Sequence, residues 1–206
     1  MNTILIGLGL LILPLTSWAQ PQNYFKSNTA YVTSTPDIDI DAAITSLIAS
    51  SATLPNIKKT NCSPKNPISY TQDELESFIN DANLGNSFAQ NELGFYYQSH
   101  GENHQAATWY KKSVEQENPS AQNNLAYLYE YGCGVRQDLK QSRHLYTLSA
   151  KNGNAVAQAN LGDFILSYDA RNKANVAIAK EWYGKACDNG NQRGCDEYRE
   201  LKQQGY

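Results

Sequence analysis

The sequence predicts an all-α protein, a right-handed α-solenoid superhelix built from antiparallel helix pairs. Three observations predict it. The dipeptide Ala-Gln recurs at Ala89-Gln90, Ala121-Gln122 and Ala157-Gln158, with spacings of 32 and then 36 residues. Four residues past each Ala stands Leu93, Leu125 or Leu161, and four further on Tyr97, Tyr129 or Ile165, so each block lays one apolar stripe along a helix. Each block then supplies a second helix marked by Trp109-Tyr110, Leu145-Tyr146 or Trp182-Tyr183. A helix pair repeated at this period cannot bury its own apolar face, and stacking against its neighbours does so.

The chain starts with an expected targeting segment. Ile4 to Leu15 is apolar throughout apart from glycines and Pro14, and Ser17-Trp18-Ala19 places small residues where a signal peptidase reads. Residues 1–19 are therefore expected to be a signal peptide, with Gln20 as the mature N-terminus. The run is short for a membrane span, although the uncharged Asn2 and Thr3 leave a short uncleaved anchor as the competing reading. No cysteine marks the cleavage site, so no lipid anchor is expected. After cleavage the chain is expected to be periplasmic or secreted in a bacterium, not inserted in the membrane, and to meet an oxidising compartment.

Residues 20–70 form a leader rich in Ser, Thr, Asn and Pro. One helix is possible at 37–50, with Asp37, Asp39 and Asp41 favouring its N-terminus; a flexible or loosely docked leader is the alternative. Residues 71–206 are read as the solenoid. Thr71-Gln-Asp-Glu74 is a capping box, and the helix it starts should run to about Asn83 and stop before Gly85.

Within the blocks, the residue beside each Leu is small (Gly94, Ala126, Gly162), which lets a neighbouring helix approach closely. A small residue, Ala106, Ser142 or Ala179, precedes each aromatic-bearing pair by three. The second helices should end near Gly153 and Gly190, each in a left-handed cap, whereas the first block has Glu117 at that place, at some cost in stability. Flanking helices at 71–83 and near 193–203 serve as caps.

The block Ala121-x-x-x-Leu125-Ala126-x-x-Tyr129-x-x-Gly132-Cys133-Gly134-Val135-x-x-Asp138 closely resembles the Sel-one-like repeat (SLR), a relative of the tetratricopeptide repeat. The resemblance covers about residues 72–200. The first block lacks four residues of the inter-helix loop, and the third carries Tyr168-Asp-Ala-Arg-Asn-Lys-Ala in place of its glycines.

The stretch from Lys185 to Cys195 resembles the Helicobacter cysteine-rich SLR proteins, and this resemblance implies a Cys187–Cys195 disulfide bridging consecutive helices. Free or metal-bound thiols are the other reading. Cys62 and Cys133 complete an even count of four, so a second bridge is possible, stapling the leader to the loop at 132–134. Otherwise both are free, and Cys133 in an exposed glycine loop would be reactive.

The sequence points to no catalytic constellation, no metal site and no cofactor. His100 and His104 have metal-pair spacing but flank an expected loop, and His144 reads as a solvated helix residue. There is no Gly-x-Ser-x-Gly elbow and no phosphate-binding glycine loop. The formal net charge of -3 gives no reason to expect nucleic acid. Through the cysteine-rich relatives, a weak penicillin-binding or β-lactamase-like activity stands as an alternative without a nucleophile–base pair to support it.

The resemblance implies that the first helices line a concave face that binds another protein, the chain itself being monomeric. Residues one face away from the anchors are the expected contacts: Asn91, Phe95 and Gln98 in the first block, Asn123, Tyr127, Glu130 and Tyr131 in the second, and Asp163 in the third. Rings give buried area and amides bind backbone, which suits capture of a peptide or loop. Phe95 and Tyr127 packing between adjacent first helices is the competing reading. An adaptor or scaffold role follows from the family. An immunity protein against a secreted antibacterial effector is an alternative, and host interaction a third.

Overall fold

The computed structural model describes residue 62, residues 67–169 and residues 172–206. The expected signal peptide and the helix expected at 37–50 lie outside the described residues. Among the described residues there are eight helices: α1 (Gln72–Asn83), α2 (Ser87–Ser99), α3 (Asn103–Val114), α4 (Pro119–Tyr131), α5 (Leu139–Lys151), α6 (Ala155–Tyr168), α7 (Lys173–Asp188) and α8 (Gln192–Gln203). Each packs on the next. The pairs α2/α3, α4/α5 and α6/α7 are the three expected repeats, with α1 and α8 at the ends. The first helices also touch one another, α2 with α4, α4 with α6 and α6 with α8, and the second helices show no comparable approach. The first helices therefore form the inner, concave side of an α-solenoid.

The junctions between repeats share one chemistry. After α5 the amide of Gly153 donates to Ala150 and that of Asn154 to Ser149; after α7, Gly190 donates to Cys187 and Asn191 to Ala186. This paired bonding closes a helix C-terminus and needs a left-handed residue, a role met by Gly153 (φ 83°) and Gly190 (φ 85°). Asn154 and Asn191 then cap the following helix, their side chains accepting from Ala157 and Gly194. Asn86 and Asn118 do the same before α2 and α4. At the first junction Glu117 takes the left-handed place (φ 59°), the only non-glycine among the described residues to do so. The Thr71–Glu74 capping box opens α1.

Close packing follows the small residues. A methyl added at Gly94 would meet the Tyr110 ring at 2.6 Å, and one at Gly162 the Tyr183 ring at 2.6 Å. Tyr110, Tyr146 and Tyr183 are fully buried, as are Ala106, Ser142 and Ala179 one turn before them. The glutamine of the recurring Ala-Gln pair serves the helix ends. Buried Gln90 and Gln158 donate to the end carbonyls of the preceding helices, Ala82 (3.1 Å) and Ala150 (3.0 Å). They thereby add a second donor to carbonyls that already accept from Gly85 and Gly153 in the closing turns.

The three inter-helix loops differ, as the sequence departures suggested. In the first repeat it is a three-residue link at 100–102. In the second, Gly134 (φ 67°) lies on the start of α3, where a Cβ would stand 2.3 Å from the Asn103 carbonyl carbon. In the third, Asp169 at the end of α6 pairs with Arg143 of α5, both side chains being largely buried.

Candidate functional site

Three layers build the concave face. The first is a ladder of amides that crosses the repeats. Asn124 donates to Asn91 (3.1 Å), Asn123 to Asn124 (3.2 Å) and Asn160 to Asn123 (2.8 Å). Arg193 of α8 closes it, bonding both Asn160 and Asp163. The second layer is a set of buried tyrosine hydroxyls. Tyr110 donates to Gln98 (2.8 Å), Tyr146 and Tyr168 to Glu130 (2.9 and 3.2 Å), and Tyr183 to Asp163 (2.7 Å). Each second helix is thus bonded to the first helix of its own repeat.

The third layer is aromatic. Phe95, Tyr127 and Tyr131 are half-buried and pack against the core, with the Tyr127 and Tyr131 rings 4.6 Å apart. Phe95 and Tyr127 share with the ladder amides a pocket of about 240 Å³, lined also by Cys62 and Gln98.

The eight expected contact residues all lie on first helices, and the structure splits them by depth. Asn91, Gln98, Asn123 and Glu130 are buried, their polar atoms engaged by neighbouring repeats or by tyrosine. Phe95, Tyr127, Tyr131 and Asp163 retain surface. Helical spacing had placed all of them on one face. Asn91 and Asn123 owe their depth to the adjoining first helix, which supplies partners 33 and 37 residues away, and Gln98 and Glu130 owe theirs to the second-helix tyrosines Tyr110 and Tyr146.

Burial pushes the Glu130 carboxyl above its ordinary range, against the tyrosine hydrogen bonds that favour its charged form. Burial, then the Glu130 charge, drives the Tyr131 phenol upward. Toward α8 the Glu197 carboxyl is raised by partial burial and by Asp163, with Arg193, which pairs with Asp163, opposing the shift.

Both cysteine pairs are bonded. Cys187–Cys195 ties α7 to α8, and Cys62–Cys133 ties the end of the leader to the loop after α4. Cys133 is fully buried rather than exposed. The described leader residues continue along α2: the Ile68 amide donates to Ser99 Oγ (3.2 Å), and the Tyr70 hydroxyl to Glu92 (3.1 Å). Burial and the Glu92 charge push the Tyr70 phenol up to about 12. The sequence suggested a loosely docked leader but not the contacts of this strap, because Ile68 and Tyr70 show no periodicity.

Among the described residues no three His, Cys, Asp or Glu side chains converge as a metal site. His100 follows α2 and packs at a tilt against the Tyr96 ring, while His104 is exposed on the first turn of α3. Among the same residues no helix is long and apolar enough to cross a membrane.

Comparison with known proteins agrees with this architecture. The Sel1 repeat family model matches residues 87–118, 119–154 and 155–191, coinciding with the three helix pairs. Protein sel-1 homolog 2 of Homo sapiens is 36% identical over 72 residues, 32% of this chain and 10% of that protein. The chain thus spans about a tenth of this curated relative. Among solved structures, c5321, a protective antigen of uropathogenic Escherichia coli strains with an SLR fold, is 34% identical, with 64% of this chain and 29% of that one covered at a TM-score of 0.56. A Sel1 repeat protein from Oxalobacter formigenes is 29% identical, with 62% and 98% covered at a TM-score of 0.51. Three contiguous matches over half the chain, on helix pairs stacked as that family stacks them, show that this protein belongs to the Sel1 repeat family.

Proposed function

We propose that this chain is an exported protein–protein interaction module that holds a segment of its partner in the concave groove. Sel1 repeats commonly serve as interaction modules rather than enzymes, and the finer assignment rests on one observation. The half-buried rings of Phe95 and Tyr127 flank a pocket whose floor carries the amides of Asn123 and Asn160. A protein segment laid there gains ring area from the walls, while polar groups on the floor fix its orientation. Export rests on the apolar run at 4–15 and the small residues before Gln20. Two disulfides are consistent with an oxidising compartment. An adaptor or scaffold role in the cell envelope is the functional class.

The test uses the disulfide-intact mature chain as bait for envelope and secreted proteins. The partner should be retained by the native chain and lost by Phe95→Ala/Tyr127→Ala, with both proteins showing the same helical content and no free thiol. Equal retention by the double variant contradicts the groove assignment.

A further inference from the structure

The second helices α3 and α5 do not approach one another as the first helices do, and a cavity of about 860 Å³ opens between them. It shares no lining residue with the concave pocket. Its base is apolar: Leu139 is buried, and Tyr129 and Val135 are half-buried against the core. Its rim is basic. His104 and Lys111 stand about two turns apart on α3 and so share a face. Arg136 comes from the loop before α5, and Lys140 from the first turn of that helix. All four are exposed.

Two further observations make this rim a receptor for negative charge. The first is that its cations are unpaired in a chain whose formal net charge is -3. Arg143 pairs with Asp169, Arg193 with Asp163 and Arg199 with Asp196, so among the described residues Arg136 is the one arginine without a carboxylate partner. The carboxylate lining the cavity is that of Asp138, and its Oδ1 already accepts from the amides of Lys140 and Gln141 (both 3.0 Å). The second is that the loop backbone beneath Arg136 is fixed in advance. The amides of Cys133 and Asp138 donate to Leu128 and Tyr129 (2.9 and 3.0 Å), and the Gln137 side chain donates to the Glu130 carbonyl (2.8 Å). Cys133 is held in its disulfide, and Gly134 lies against Asn103. A loop ordered before binding spares the ligand the cost of ordering it.

We propose that this cavity is a second binding site, which takes an oligoanion bearing two or more phosphate groups and holds it by Lys111, Arg136 and Lys140. The volume falls in the range of small-molecule sites, roughly 300–1,000 Å³, and is far more than one phosphate fills. The three cations arrive from α3, a loop and α5. Tetrahedral phosphate oxygens point in several directions and can meet all three, whereas a carboxylate offers two oxygens in one plane. The Arg136 fork can take two oxygens at once, and the lysines act as point charges.

The experiment titrates the disulfide-intact mature chain with tripolyphosphate by calorimetry. A second arm sediments it with phosphatidylcholine vesicles, with and without cardiolipin, whose headgroup bears two phosphates. The expected result is saturable binding in at least one arm. Tripolyphosphate alone names a soluble ligand, and cardiolipin vesicles alone name a lipid headgroup. Lys111→Gln/Arg136→Gln should weaken binding at least about tenfold, since two charges at close range are lost. Lys185→Gln/Lys202→Gln removes the same charge from α7 and α8 and should leave binding unchanged. A thermal melt on each variant separates misfolding from lost contact. No saturable binding in either arm overturns the proposal. Equal weakening by the two variants also overturns it, because net charge alone then explains the attraction. Citrate binding as tightly as tripolyphosphate removes the phosphate assignment. Loss of binding in Phe95→Ala/Tyr127→Ala places the anion in the concave groove and contradicts a separate site.

Discussion

The Tyr146 hydroxyl donates a 2.9 Å hydrogen bond to the Glu130 carboxylate inside the second repeat, and Tyr168 donates to the same group from the third. Gln98 occupies the equivalent place in the first repeat and accepts from Tyr110 at 2.8 Å. The middle repeat thus buries a carboxylate where its neighbour buries an amide. The carboxylate joins two repeats, and desolvation disfavours its charge.

A pH dependence follows. The folded-state pKa of Glu130 lies above the ordinary 4.5, so folding binds its proton more tightly. The stability it contributes is complete below about 4.5 and declines as pH rises through the raised folded value. Glu130→Gln removes that decline. The variant should melt a few degrees higher than the native chain at pH 7, and the difference should vanish near pH 4. Thermal melts across this range check it; a constant difference at every pH contradicts the assignment.

Gly162 lies against the Tyr183 ring, where an added methyl would stand 2.6 Å from it. Gly162→Ala should therefore cost about 1–3 kcal/mol by overpacking, despite the better helix propensity of Ala. Gly94→Ala should behave alike against Tyr110. Denaturant titration measures both, and a neutral or stabilising result shows that the rings can yield.

Glu117 holds a left-handed conformation that Gly153 and Gly190 hold at the other junctions. Glu117→Gly relieves about 1–2 kcal/mol of strain and loses about 0.5–1 kcal/mol to the flexibility of the unfolded chain. A net gain of about 0.5–1 kcal/mol is expected in equilibrium unfolding, and a loss contradicts it.

The two disulfides close loops of unequal size, with sequence separations of 71 and 8 residues. Chain entropy gives about 4 kcal/mol for the longer and about 2.5 kcal/mol for the shorter. Cys62→Ser/Cys133→Ser should lower stability more than Cys187→Ser/Cys195→Ser in parallel denaturant curves. The reverse order means that the strap adds little and that α8 depends on its staple.

The repeat was legible because packing imposes periodicity. Ala, Leu and the second-helix Tyr are buried in all three blocks. The glycine caps were legible for the same reason, a left-handed turn being a local demand. Depth within the groove was not. Asn123 and Tyr127 lie one helical turn apart on the same stripe. Asn123 is buried because Asn160, on the next first helix, completes its hydrogen bonding, a pairing that no single-helix pattern encodes. The strap at 67–70 was equally hidden, held by individual contacts to Ser99, Glu92 and Tyr96.

The groove's function is tested most directly by titrating the captured partner against two single variants. Tyr127→Ala removes a ring from the pocket wall, and His144→Ala changes an exposed position on the second helix α5. A central aromatic contact is worth about 2 kcal/mol, or roughly 30-fold in Kd. Binding weakened about 30-fold by Tyr127→Ala and unchanged by His144→Ala is the expected result. Equal affinities for Tyr127→Ala and the native chain contradict it.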